Sequence, residues 1–156
     1  MKTATILNTV LIVSLLNAIT FVNASDFTHR VIAGKQEFLV QTAVTRKQQQ
    51  QGLMYRQNMP SSQGLLMIFE RDTHVPIWMK NMFFPLDVAW MSADGVVVDL
   101  KTLPVCSQTP CPIFRSDQSA RYVLEVGAGL FQLKQGDKVE IIDTSRDSLH
   151  PSNSVQ

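Results

Sequence analysis

The sequence predicts a mainly β fold, a single antiparallel β-sandwich or rolled barrel with one or two short helices. Apolar and polar residues alternate over 86–91 and again over 121–126, a period typical of strands. Between the first of these runs and a valine-rich run stands Asp94-Gly95, a dipeptide that favours a hairpin turn. The 156 residues, 45% of them hydrophobic, are enough for one domain with its own core.

The first half of the chain supplies a strand, a helix and two further strands. Alternation predicts a strand over 37–44, after which Thr45 is a suitable cap for a short helix over 46–56. The continuous apolar run 64–69 is short enough to be a strand buried on both faces. A further strand is predicted over 76–80, with a proline at its edge.

The second half of the chain continues the β pattern. Residues 86–91 and 96–98 are predicted to form the two arms of the hairpin. A strand follows over 121–126, then a short helical turn over 130–134, and a last strand over 138–142. No internal repeat or interdomain linker is visible, so these elements are expected to form one domain.

The two ends of the chain are predicted to lie outside this domain. Residues 6–22 form an apolar run that ends in small residues before position 25, which is typical of a secretory signal peptide cleaved after residue 24. The run is shorter than the roughly 20 apolar residues that a spanning helix needs. We therefore expect a signal peptide (1–24), a lead-in (25–35), the β-rich domain (36–143) and a flexible tail (144–156).

Charge argues against two classes of partner. The chain has 14 Lys and Arg residues against 13 Asp and Glu residues, a net charge of +1. Such a chain has no overall field that would attract nucleic acid or an anionic membrane. We expect an exported monomer, periplasmic or secreted, with no transmembrane span after cleavage and no nucleic-acid partner.

Export also decides how the two cysteines are interpreted. Cys106 and Cys111 lie in the proline-rich segment 104–112, which suits a tight loop. In an oxidising compartment such a pair normally forms a disulfide, worth about 2 kcal/mol for so short a loop in the chain-entropy model. A redox-active pair, free thiols or a metal site are the alternatives. Zinc is disfavoured because the three histidines lack ligand spacing, and no metal or other cofactor is expected.

Several short motifs resemble a known family. They are QGLMYR (51–56), GLLMIF (64–69), WMKN (78–81), PLD (85–87), DG (94–95), the Pro/Cys loop and RYVLEV (121–126). In this order they resemble the family called domain of unknown function 192, over about residues 36–143. The chain departs from it at Gln51, where the family commonly has arginine, and at Met82, where it commonly has threonine. The resemblance implies a compact β-sandwich-like fold, often exported, and no known activity.

The candidate binding residues are Trp78, Lys80, Asn81, Asp87 and Arg56. Lys80 and Asp87 stand among large apolar residues, where a charge is rare unless it is paired or functional. Strand alternation puts Trp78 and Lys80 on one face, and the following loop is expected to return Asp87 toward Lys80. Arg56 is expected to add a second cation to this pocket. The alternative is a structural Lys80–Asp87 ion pair, with Asn81 satisfying turn backbone.

The predicted function is therefore binding of a small polar ligand or an envelope partner. A small periplasmic enzyme that uses Lys80 and Asp87 is the main alternative, although no nucleophile motif or other catalytic residue is recognised. A further alternative is copper(I), held near Trp78 by His74, Met79 and Met82, since thioether and imidazole suit that ion.

Overall fold

The computed structural model of the chain describes residues 27–144. The expected signal peptide (1–24) and all but the first residue of the expected tail (144–156) lie outside the described residues. The elements, in order, are β1 (His29–Ala33), β2 (Gln36–Ala43), α1 (Arg46–Gln51), β3 (Gln63–Thr73), β4 (Ile77–Trp78), β5 (Leu86–Met91), β6 (Val97–Leu103), β7 (Ile113–Phe114), β8 (Ala120–Gly127) and β9 (Val139–Asp143).

The mainly β prediction is confirmed. Seven strands form one curled sheet, a half-barrel with the order β6-β5-β8-β3-β2-β1-β9, and β4 pairs with β7 in a small second sheet. All neighbours are antiparallel except β2 and β3, which run parallel because the connection between them crosses over through α1. Within residues 27–144, no helix is long and apolar enough to cross a membrane.

Both faces of the central strands are buried. In β3, β5 and β8, successive side chains enter two different clusters, as the two-residue period of a strand requires. The cluster on the first face includes Leu65, Met67, Val88, Trp90 and Val123. The cluster on the second face includes Val40, Leu66, Ala89, Leu124 and Val126. The first face carries the cleft described below.

The helix α1 begins where predicted and ends earlier. The Thr45 hydroxyl accepts a hydrogen bond from the backbone N–H of Gln48, and the Gln48 side chain accepts one from the N–H of Thr45. This capping box satisfies two N–H groups at the helix start. The helix ends at Gln51, five residues before the predicted end, because Gly52 adopts φ 49° and ψ −130°, a conformation open mainly to glycine. The chain therefore leaves the helix after six residues.

Three further elements differ from the prediction. β1 lies in the stretch 25–35, for which no strand was predicted, and it joins the sheet between β2 and β9. The helical turn predicted over 130–134 is absent, because the two groups that would close it bond elsewhere. The Leu130 carbonyl accepts from the Gln36 side chain, and the Lys134 N–H donates to the Asp137 carboxylate. The strand predicted over 76–80 has two residues, those of β4.

The two cysteines lie at disulfide distance, with Cα atoms 5.7 Å apart. We expect alkylation of the native, non-reduced protein to label neither Cys106 nor Cys111, because a disulfide has no thiol to react. Mass spectrometry before and after reduction measures this directly. Stoichiometric labelling of both residues without reductant would contradict the disulfide.

Candidate functional site

A cleft of about 590 Å³ lies against the first face of the sheet. Its walls are α1 with the turn that follows, part of β3, and the small sheet of β4 and β7. The apolar lining residues are Leu53, Met54, Met67, Phe69, Val75, Pro76, Ile77, Trp78, Met82, Leu86 and Ile113. A concave, mainly apolar cavity of this size is typical of small-molecule sites.

The small sheet forms one side of the cleft and its rim. Trp78 of β4 pairs with Ile113 of β7, and both line the cleft while remaining 43% and 51% exposed. Behind them, the indole Nε1 of the fully buried Trp90 donates to the carbonyl of Val75 at 3.1 Å. This hydrogen bond ties the chain leading into β4 to the core of the main sheet.

Glu125 of β8 is the acidic residue in the cleft lining, and the sequence analysis missed it. Strand alternation places it on the same face as Val123, two residues earlier, where it is 3% exposed. Burial raises the pKa of Glu125 from 4.5 to about 7, and the positive charge of Arg56 opposes this rise. A carboxyl group with a pKa near neutrality in a cleft is a recognised mark of functional sites.

Gln49 of α1 also lines the cleft, and its amide nitrogen is already engaged. It donates to the carbonyl of Ala43 at 3.3 Å and to that of Ile68 at 2.9 Å. These two hydrogen bonds fix α1 against the strands and leave the amide oxygen of Gln49 as an acceptor.

The structure brings Trp78 and Lys80 together at the surface. The Lys80 ammonium lies 5.1 Å from the centroid of the Trp78 ring, a cation–π contact. Lys80 is exposed and is not among the residues that line the cleft. Only Trp78, of the five sequence-predicted binding residues, is among the lining residues.

Asn81 and Arg56 do not line the cleft, but both interact with residues beside it. The side-chain amide of Asn81 donates to the Tyr55 hydroxyl at 2.7 Å. The backbone carbonyl of Asn81 accepts from the backbone N–H of Tyr55 at 2.9 Å. Asn81 has φ 57° and Tyr55 φ 66°, so these contacts maintain two uncommon backbone conformations. Arg56 donates to the side chain of Gln41 and acts on Glu125 through its charge.

The predicted Lys80–Asp87 pair is wrong. Asp87 is buried on the second face of the sheet, where it accepts from the Thr102 hydroxyl at 2.6 Å and from the Phe131 N–H at 3.0 Å. Leu86 and Val88, its neighbours in β5, face the first cluster, so Asp87 points away from the cleft. No ion pair joins it to Lys80 within residues 27–144. The carboxylate has a structural role.

Truncating these two residues is expected to have unequal effects. Asp87→Ala should lower the free energy of unfolding by about 2 kcal/mol, since it leaves the Phe131 N–H and the Thr102 hydroxyl without their acceptor. Lys80→Ala removes an exposed side chain and should cost about 0.5 kcal/mol or less. Urea denaturation of both variants and of the double variant measures this. Recovery of stability in the double variant would indicate a Lys80–Asp87 interaction after all.

Of the three residues suggested for copper, only Met82 is among the residues that line the cleft. Met79 and Met82 are both buried in the first cluster, and the His74 ring contacts the carbonyl of Ser116 at 3.5 Å. Over the described part of the chain, no three His, Cys, Asp or Glu side chains are grouped so as to hold a metal ion.

Comparisons with known proteins place the chain beside uncharacterised relatives. The model of the DUF192 family, described as "Uncharacterized ACR", matches residues 28–141. A solved structure of a proposed transcription regulator from Sinorhizobium meliloti 1021 is 32% identical, with a TM-score of 0.65 over 72% of this chain and 91% of that one. A protein of unknown function from Novosphingobium aromaticivorans DSM 12444 is 26% identical, with a TM-score of 0.62 over 72% and 83%. No curated protein matches the chain.

Proposed function

Because the chain belongs to the uncharacterised DUF192 family, we propose its function from its own cleft: it binds a small, largely apolar organic molecule. The observation that carries the proposal is an apolar cavity of about 590 Å³ whose polar lining includes a buried carboxyl group, that of Glu125. Such a combination supplies apolar contact area for affinity and a polar group for orientation.

The residues that line the cleft favour a more apolar ligand than the small polar one predicted from the sequence. Met67, Leu86 and Met82 present apolar surface to the cleft, while Lys80 and Asp87 contribute nothing to it. A wholly polar ligand would lose hydration against these apolar side chains and find few polar partners in exchange, which is unfavourable. The ligand class that fits best has an apolar body and one polar head. An enzyme built on a Lys80–Asp87 pair loses its support, since that pair is absent.

Export is the second part of the proposal. The apolar run 6–22 with small residues before position 25 supports a cleaved signal peptide, and the cysteine pair at disulfide distance is consistent with an oxidising compartment. The intact mass of the protein recovered from outside the cytoplasm should correspond to a chain that begins at Ser25. Retention of residues 1–24 would contradict export by this route.

Ligand binding is tested with a neutral probe of the expected class. The probe is phenylpropanol with its hydroxyl at the end of the propyl group. It should change the tryptophan fluorescence saturably, because Trp78 lies at the rim of the cleft. Trp78→Phe should remove most of the change, since the remaining Trp90 is fully buried in the core. Absence of both a fluorescence change and a heat of binding would contradict the proposed function.

A further inference from the structure

We propose that the cleft selects amphiphilic molecules whose head group is a protonated amine, and that the carboxylate of Glu125 receives this group. The inference rests on the proposed function and names its ligand class. It follows from the polar groups that the cleft presents, from the incomplete compensation of the Glu125 charge, and from the apolar surroundings of that carboxylate.

The polar groups set into the walls of the cleft are acceptors. Glu125 presents a carboxylate, and Gln49 has an amide oxygen left over after its nitrogen has donated twice. The lining also contains three donor side chains, and all of them are exposed: Arg46 and Gln50 on α1, and Trp78 at the rim. A ligand that brings hydrogen-bond donors to the buried wall of the cleft therefore finds acceptors there, whereas one that brings acceptors finds donor side chains only at the exposed positions.

The charge of Glu125 is only partly compensated by the protein. Arg56 lies near enough for its positive charge to lower the pKa of Glu125, yet burial keeps that pKa at about 7. Arg56 itself does not line the cleft and is hydrogen-bonded to Gln41. An ammonium entering from the cleft would supply the missing countercharge from the open side, and a hydrogen bond to a charged group is stronger than one between neutral groups.

The side chains around Glu125 indicate that the remainder of the ligand, apart from its head group, is apolar. Glu125 lies opposite Leu65 of β3 and Val88 of β5, both members of the first cluster. The same lining includes the apolar side chains of Met67, Met82 and Leu86. An amine attached to an aromatic or aliphatic chain would place its charge on Glu125 and its apolar body along these side chains. An organic acid would instead bring a second negative charge to Glu125.

Three probes that share the phenylpropyl group and differ only in their head group test whether an amine is preferred. Phenylpropylamine, phenylpropanol and phenylpropanoate, each with its head group at the chain end, are titrated into the full chain by calorimetry at about pH 8, where Glu125 is ionised. We expect the amine to bind at least about tenfold more tightly than the alcohol, and the acid to bind most weakly. Glu125→Gln keeps the size of the side chain and should reduce the preference for the amine to less than about twofold.

The controls make the outcomes distinguishable. Glu70→Gln removes the same charge from an exposed position on β3 and should keep the preference for the amine. If the three probes bind equally well, or the acid binds best, the amine inference is wrong and the proposed function stands. If the preference survives in Glu125→Gln, Glu125 is not the receiving group and the inference is wrong. If none of the probes binds, the proposed function itself fails.

Discussion

Glu125→Gln is expected to stabilise the protein at pH 8 by about 3 kcal/mol and to leave its stability at pH 4 nearly unchanged. The folded-state pKa of Glu125, about 7, lies above the unfolded value of 4.5 because burial disfavours the charge. Between these two values the folded chain keeps the proton and the unfolded chain releases it. The free energy of unfolding contributed by Glu125 therefore falls as the pH rises from 4.5 to 7 and is constant above.

Glutamine carries no titrating proton, so the variant should lack this component of the pH dependence. Urea denaturation of wild type and variant at a series of pH values measures the difference, and Glu70→Gln is the matched control with an exposed carboxyl group. A difference between Glu125→Gln and wild type that does not change with pH would contradict the raised pKa. So would a variant that is less stable than wild type at both ends of the range.

Trp90→Phe is expected to lower the free energy of unfolding by about 2–3 kcal/mol. Trp90 is fully buried in the first cluster, so the smaller ring leaves a cavity behind the cleft. The same change removes the 3.1 Å hydrogen bond to the Val75 carbonyl, and with it the tie between the core and the strand β4. The midpoint of urea unfolding should fall while the dependence of free energy on urea stays the same.

Trp78→Phe is the matched control for this prediction. Trp78 lies at the rim and is 43% exposed, so the same substitution there should cost about 0.5 kcal/mol or less. Equal losses at the two positions would contradict the prediction that burial and the hydrogen bond to Val75 make Trp90 the more important residue for stability.

Local patterns predicted the parts of the fold that depend on near neighbours. Alternation over 86–91 and 121–126 identified β5 and β8, and Thr45 identified the start of α1, because each signal acts within a few residues. β1 and β7 were not predicted. β1 pairs with β2, which follows it after the turn at Gly34, and with the distant β9, whereas the partner of β7 is the distant β4. β7, with two residues, is too short to show a period at all.

The candidate site depended on long-range packing, and there the sequence analysis was least successful. Glu125 alternates with Leu124 and Val126, which is how an exposed residue on a half-buried strand also appears. Its face is covered by α1 and by β4, which are separated from β8 in sequence, so no local pattern reveals its burial. Asp87 was misassigned for the same reason: both faces of β5 are buried, and its alternation does not say which of them borders the cleft.

The central claim is that the cleft on the first face of the sheet holds the ligand, and methionine methyl groups test it most directly. Met54, Met67 and Met82 line the cleft, whereas Met91 lies in the cluster on the second face. In protein labelled with carbon-13 at the methionine methyls, phenylpropanol should shift the three lining signals saturably and leave the Met91 signal in place. Absence of any shift, or a shift of Met91 as large as that of the lining methionines, would contradict the claim.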